Sequence, residues 1–250
     1  VEIVFFRSVV SLVLSVFFLT ILKVNVWGNN KRVLLARGLC GAVALIMYFT
    51  TIQLMPLASA ATIQFLSPVF SSILGIYIVK EKVHPRQWIF YLIAFAGVIM
   101  VKGFDPRITP ILFLVGIVAA LLSGLAYNFI RKLNTTEHPL VIVFYFPLVT
   151  LPITGIICLF GWVQPAGLEW LWLLLVGVFT QIAQYLMTKA YQSEEISIVA
   201  SLKYIGILYA LALGYVFFDE VFNLMTYLGM TIMLTGVGLN IWYKNRVIAS

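Results

Sequence analysis

Long apolar segments separated by short polar connectors make up most of this sequence. About twenty apolar residues are enough to cross the ~30 Å hydrocarbon core of a bilayer as an α-helix. Because the connectors are short, neighbouring helices are expected to be antiparallel. The pattern predicts nine such helices, at Ile3–Leu22, Leu34–Met55, Ala58–Val79, Gln87–Val101, Ile111–Ile130, Leu140–Phe160, Leu168–Thr188, Ile196–Phe218 and Leu224–Tyr243.

The segment from Ala58 to Glu81 appears twice in the chain. It carries a polar stripe whose spacing of i, i+3, i+7 and i+11 defines one helical face. The same design returns 139 residues later, at Ser197–Glu220. The stripe consists of Gln64, Ser67, Ser71 and Gly75, and the shift places Glu81 on Glu220, Gly75 on Gly214 and Gln64 on Lys203.

The shift of 139 residues holds without a gap over everything that can be compared. Shared hydrophobicity would match Leu with Val freely, but it would not repeatedly align glycine with glycine and glutamine with glutamine. An internal duplication is therefore the stronger explanation. The further matched pairs are Gly28 with Gly167, Gly38 with Gly177, Gln53 with Gln192 and Gly97 with Gly236.

The duplication predicts an inverted repeat. The fifth segment, Ile111–Ile130, would map before Val1, so the second half has five helices and the first half four. We expect one further helix, with its flank about thirty residues, upstream of Val1, giving ten helices in an intact protein. Because five is odd, the two halves must insert with opposite orientation. The predicted repeats are residues 1–104 and 105–250.

Composition and charge placement agree with a membrane protein. The chain is 62% hydrophobic and only 10% charged, whereas soluble domains average about 25% charged residues. The net charge of +7 lies in short clusters between apolar segments, which favours membrane orientation over nucleic-acid binding. With the first connector in the cytoplasm, only Lys102 and Arg107 lie outside. The cytoplasmic side then holds Lys23, Lys31, Arg32, Arg37, Lys80, Lys82, Arg86, Arg131, Lys132, Lys189, Lys244 and Arg246.

The ordered set of motifs resembles the EamA-like branch of the drug/metabolite transporter superfamily. Its carriers are the FFR of the first helix, the duplication, and the paired motifs GIYIVKE then AGVIM and GYVFFDE then TGVGL. The resemblance implies an all-α polytopic membrane protein with ten helices, cytoplasmic termini and a central cavity between the repeats. It also implies movement of a small organic solute by alternating access. One departure is Ile207, which replaces the position matched by Pro68.

Two cations inside predicted helices are candidates for substrate binding. Arg7 and Lys203 lie several residues from the ends of their segments, and ionisable groups there cost roughly 2.5–3.5 kcal/mol on insertion scales. One interpretation is a cationic pocket wall for a carboxylate, a phosphate or another electron-rich group. The other is snorkelling to the interface or bonding to backbone carbonyls. The sequence leaves both open.

Uncharged polar residues inside helices extend this candidate site. Two glutamines on one helical turn exceed what helix packing normally needs, so pocket lining is favoured. The spacing of Gly116, Ala120 and Gly124 instead predicts a packing face against a neighbouring helix. The remaining candidates are Gln64, Gln181, Gln184, Tyr185, Tyr127 and Asn128.

These features predict a secondary transporter of a small organic metabolite, with anionic or zwitterionic substrates in view, in a bacterial inner membrane with its C-terminus in the cytoplasm. No catalytic motif, cofactor site or metal site is expected, since Cys40 and Cys158 lie in apolar segments. The partners expected are the substrate and the lipid bilayer, with no nucleic acid, and the oligomeric state stays open. The alternatives are an intramembrane lipid-modifying enzyme and a non-transporting membrane scaffold.

Overall fold

The computed structural model describes residues 1–80, 84–104, 107–194, 196, 199 and 205–248. Within these residues the chain is helical and contains no strand. The helices are α1 (Glu2–Ile21), α2 (Lys31–Leu54), α3 (Leu57–Gln64), α4 (Ser67–Ile78), α5 (Pro85–Phe104), α6 (Pro110–Lys132), α7 (Pro139–Cys158), α8 (Glu169–Ser193), α9 (Ile205–Phe218) and α10 (Leu224–Ile248).

The predicted all-α membrane fold is confirmed. Within the described part of the chain, six segments are long and apolar enough to cross a membrane, α3 and α4 together counting as one. The predicted helix ends agree with the structure to within a few residues for most segments. Part of the eighth predicted helix, upstream of Ile205, lies largely outside the described residues.

The third predicted segment is two helices rather than one kinked helix. α3 ends at Gln64 and α4 begins at Ser67, with Pro68 in its first turn. A proline has no N–H and its ring collides with the carbonyl four residues earlier, here that of Gln64. The helix therefore stops and restarts. By contrast, Pro147 and Pro152 lie inside the continuous helix α7, as predicted.

The chain forms two compact units. The first unit comprises residues 1–46 and 125–195, and the second comprises residues 47–124 and 196–250. Each unit therefore combines segments from both predicted repeats. The repeat boundaries themselves, residues 1–104 and 105–250, remain a prediction from the sequence.

Two carboxylates fix the direction of the helices in the first unit. Glu137, just before α7, accepts hydrogen bonds from the backbone N–H groups of Asn29 (2.7 Å) and Asn30 (2.5 Å), just before α2. At the opposite end, Glu2 accepts from the backbone N–H of Val163, just after α7. Because α7 begins where α1 ends and ends where α1 begins, the two helices are antiparallel.

Close helix approaches in the first unit occur at two glycines of equivalent position. A Cβ at Gly38 of α2 would lie 2.8 Å from Cγ2 of Val149 in α7. A Cβ at Gly177 of α8 would lie 2.5 Å from Cβ of Val10 in α1. The glycines are 139 residues apart, and so are the valines. The two contacts are thus reciprocal.

The second unit has a reciprocal pair of the same kind between α5 and α10. A Cβ at Gly97 would lie 2.5 Å from the backbone nitrogen of Met233, and one at Gly236 would lie 2.6 Å from the backbone nitrogen of Ala94. Both glycines and their contact residues are again related by 139 positions. Since the neighbouring atoms are backbone, these two helices touch without intervening side chains.

The small-residue face of α6 packs against α3 and α4 within the second unit. A Cβ at Gly116 would lie 2.8 Å from Cγ2 of Ile63, and one at Gly124 would lie 2.8 Å from the backbone nitrogen of Ser71. Ala120, between them, is fully buried. The predicted packing face is therefore confirmed, and the serine of the polar stripe serves helix packing.

Candidate substrate site

Arg37 lies inside the first unit, with its guanidinium against an aromatic ring. Because α2 begins at Lys31, Arg37 is the seventh residue of the helix, about 9 Å of rise from its start. Its side chain is 2% exposed. The Cζ atom is 4.6 Å from the ring centroid of Phe146 in α7, and Nη2 donates a hydrogen bond to Oε1 of Gln184 at 3.2 Å.

Arg7 approaches the same ring from the other end of the unit. It is the sixth residue of α1, and its Cζ lies 5.8 Å from the Phe146 centroid. Since the side chain is only 7% exposed, its charged group does not snorkel to an interface. Two guanidinium groups therefore lie against one phenyl ring, each within cation–π distance.

The two glutamines predicted on one turn of α8 bond to different helices. Gln181 donates from Nε2 to the hydroxyl of Ser15 in α1 at 2.8 Å. Its Oε1 is buried and accepts no hydrogen bond within the described residues. Gln184 accepts from Arg37 of α2. The pair thus links α8 to both helices that carry the buried arginines.

The candidates on α6 lie against the same helix, α8. The ring of Tyr127 stacks on that of Tyr191, with centroids 4.8 Å apart and planes 13° apart. Asn128 is fully buried, and Tyr185 is partly buried. The first unit therefore brings together six predicted site residues, namely Arg7, Tyr127, Asn128, Gln181, Gln184 and Tyr185.

The other two candidates lie elsewhere. Gln64 belongs to the second unit, where its Nε2 donates to the hydroxyl of Ser123 at 2.9 Å. Its Oε1 is buried without a hydrogen-bond partner in the part of the chain that the structure describes. Lys203 lies outside the described residues.

Sequence reasoning missed Arg37, and its assignment to a cytoplasmic connector was wrong. The predicted start of the helix at Leu34 made Arg37 a near-terminal charge, whereas the side chain is buried. A signal lay one turn on, at Gly41. A Cβ there would lie 3.0 Å from Nη1 of Arg37 and 3.0 Å from Cε2 of Phe146. The missing side chain makes room for the guanidinium above the ring.

Two crevices in the first unit lie away from these residues. One has a volume of about 450 Å³ and the other about 330 Å³, and both are lined by Glu2 and Val163. None of the predicted site residues lines either crevice.

Comparison with known proteins gives transporters. The sequence model of the EamA-like transporter family matches residues 1–103 and 110–242. A pseudopaline exporter of Pseudomonas aeruginosa is 32% identical over 231 residues, covering 91% of this chain and 81% of the exporter. An S-adenosylmethionine uptake transporter of Rickettsia prowazekii is 22% identical, covering 100% and 85% respectively. A solved crystal structure at 17% identity shares the fold, with a TM-score of 0.74 over 98% of this chain and 88% of that one. The protein described here belongs to the EamA-like transporter family, a branch of the drug/metabolite transporters.

Proposed function

We propose that this protein is a secondary transporter that moves a small organic metabolite across a bacterial inner membrane by alternating access. The observation that carries the proposal is the buried hydrogen bond between Arg37 and Gln184 inside apolar helices. Charged and amide groups are costly at such depth and are found where they serve a substrate or ion path. Relatives named for export and for uptake both occur, so gradients rather than the fold set the direction.

The reciprocal glycine contacts support an inverted repeat as the basis of this mechanism. In each unit, a contact made by one helix recurs between the helices 139 positions further on. Such exchange of partners is what a two-fold relation between equivalent elements produces. In inverted-repeat transporters, movement of one repeat or bundle against the other alternates the access to the site.

We further propose that the substrate contacts the polar groups of both halves. The cations favour a substrate with a carboxylate, a phosphate or another electron-rich group, while the amides and phenols hydrogen-bond its neutral parts. We place the C-terminus in the cytoplasm, by the distribution of positive charges. The proposed binding residues are Arg7, Gln64, Tyr127, Asn128, Gln181, Gln184, Tyr185 and Lys203.

Transport by the purified full-length protein in proteoliposomes tests the proposal. Uptake of radiolabelled organic acids, amino acids, nucleosides and amines would be measured with and without an unlabelled pool inside. At least one class should accumulate by exchange, and Gln184→Ala and Lys203→Ala should each reduce its uptake. Wild-type rates in both variants would refute the site, and no uptake of any class would refute the function.

A further inference from the structure

The first unit holds two buried cations without a compensating anion. Among the described residues, no carboxylate lies within ion-pair distance of Arg7 or Arg37. The carboxylates of Glu2, Glu137 and Glu169 accept backbone N–H groups near helix ends instead. Both guanidinium groups share the ring of Phe146, which brings like charges into one neighbourhood.

The contacts of Arg37 do not satisfy its guanidinium. Its Nε and Nη1 atoms are buried and have no hydrogen-bond partner within the described residues, although Nε carries one N–H and Nη1 carries two. A cation–π contact contributes about 0.5–2 kcal/mol, and a hydrogen bond to a charged group about 1.5–3 kcal/mol. Burying an ion costs several kcal/mol. Protein contacts alone therefore leave this cation incompletely compensated.

We propose that Arg37, assisted by Arg7, binds the oxyanion of an organic solute, so that the transported substrates are organic anions. The proposal rests on the proposed function and names its substrate class. A carboxylate and a phosphate both match the planar N–H fork of arginine. Gln184 acts as a positioning residue, because its Oε1 accepts from Nη2 and fixes the plane of the guanidinium.

Ligand-dependent thermal stability tests the proposal on the full-length protein in phosphatidylcholine nanodiscs. The probes are succinate, citrate and glycerol 3-phosphate, each compared at equal ionic strength with a neutral counterpart: dimethyl succinate, trimethyl citrate or glycerol. At least one oxyanion should raise the apparent Tm by several degrees while its neutral counterpart does not, since a ligand that binds only the folded state stabilises it. Equal effects of all anions and their neutral counterparts would overturn the proposal.

Matched variants assign the effect to Arg37. Arg37→Met should abolish the anion-dependent shift, whereas Arg32→Met, which removes an exposed charge from the first turn of α2, should retain it. Without ligand, Arg37→Met should be at least as stable as the wild type, because replacing an unpaired buried ion by an apolar side chain is neutral or stabilising. A shift that persists in Arg37→Met, or a marked loss of its stability without ligand, contradicts the proposal.

Two further arms separate the possible failures. If phosphatidylglycerol alone produces the Arg37-dependent shift and the soluble anions do not, the occupant is a lipid headgroup and the proposal is overturned. If proteoliposomes transport only neutral or cationic solutes, the transporter function stands and the anion proposal fails. If anions stabilise the wild type through Arg37 and nothing is transported, the anion site stands and the proposed function fails.

Discussion

The backbone contact between α5 and α10 gives the sharpest test of the packing. We consider alanine at Gly236. Its Cβ would lie 2.6 Å from the backbone nitrogen of Ala94 and 2.8 Å from the backbone oxygen of Phe90. Neither atom can rotate away, so the helices must separate. Overpacking of this kind costs about 1–3 kcal/mol, whereas replacing glycine by alanine within a helix gains up to ~1 kcal/mol.

The same helix supplies a matched control two residues further on. A Cβ at Gly238 would meet nothing within 4 Å, so Gly238→Ala keeps the gain in helix propensity without the collision. Gly236→Ala should therefore be less stable than Gly238→Ala by about 1–3 kcal/mol, the overpacking term alone. At roughly 2–4 °C for each kcal/mol in a chain of this size, the difference amounts to several degrees of apparent Tm.

The assay is thermal unfolding of both purified variants in one detergent, followed by the fraction that stays monodisperse in size-exclusion chromatography after heating. The wild type should lie between the two variants or close to Gly236→Ala. An apparent Tm of Gly236→Ala equal to or above that of Gly238→Ala would refute the close approach of α5 and α10.

Three other substitutions test single contacts by the same measurement. Glu220→Gln should lower stability by about 0.5–2 kcal/mol, because its carboxylate caps the N-terminus of α3 by accepting two backbone N–H groups; Asp219→Asn is the control, since Asp219 is exposed and asparagine tolerates its positive φ of 50°. Glu137→Gln should cost about 1–2 kcal/mol through its two bonds to the N-terminus of α2, whereas Glu194→Gln, exposed after α8, should not. Gly41→Ala should displace the guanidinium above Phe146 by a few tenths of an ångström and weaken the anion-dependent shift; an unchanged shift would show that this space is not required.

The apolar segments were predictable because length and hydropathy alone decide whether a helix can cross a bilayer. The break between α3 and α4 was not predicted. Prolines inside membrane helices are often accommodated by a kink, as Pro147 is in α7, and the sequence does not say when the backbone stops instead. At Pro68 the helix stops at Gln64 and restarts two residues before the ring would have fitted.

The faces of the helices are visible in small and polar residues rather than in hydrophobic ones. In α1 the buried positions include Ser8, Ser11 and Ser15, spaced by three and four residues. The exposed positions include Val13 (62%) and Phe17 (54%), as expected where lipid replaces water around the bundle. Because hydrophobic side chains occur on both faces, a search for an apolar stripe does not find the packed side of such a helix.

This inversion also explains why one arginine was predicted as a site residue and the other was not. Arg7 stands alone in an apolar run, so its burial required an explanation, whereas Arg37 follows two other basic residues of the same helix and passes for the last of a terminal cluster. What distinguishes Arg37 is the glycine one turn later, which leaves space for its guanidinium beside Phe146. The same ring is the repeat counterpart of Arg7, 139 positions on. Residues related by a two-fold axis touch each other only near that axis, so under the proposed repeat the two arginines meet close to the axis of the first unit. A cationic site at that place would stay near the axis while equivalent helices exchange their environments, which is the position that alternating access requires of a substrate anchor.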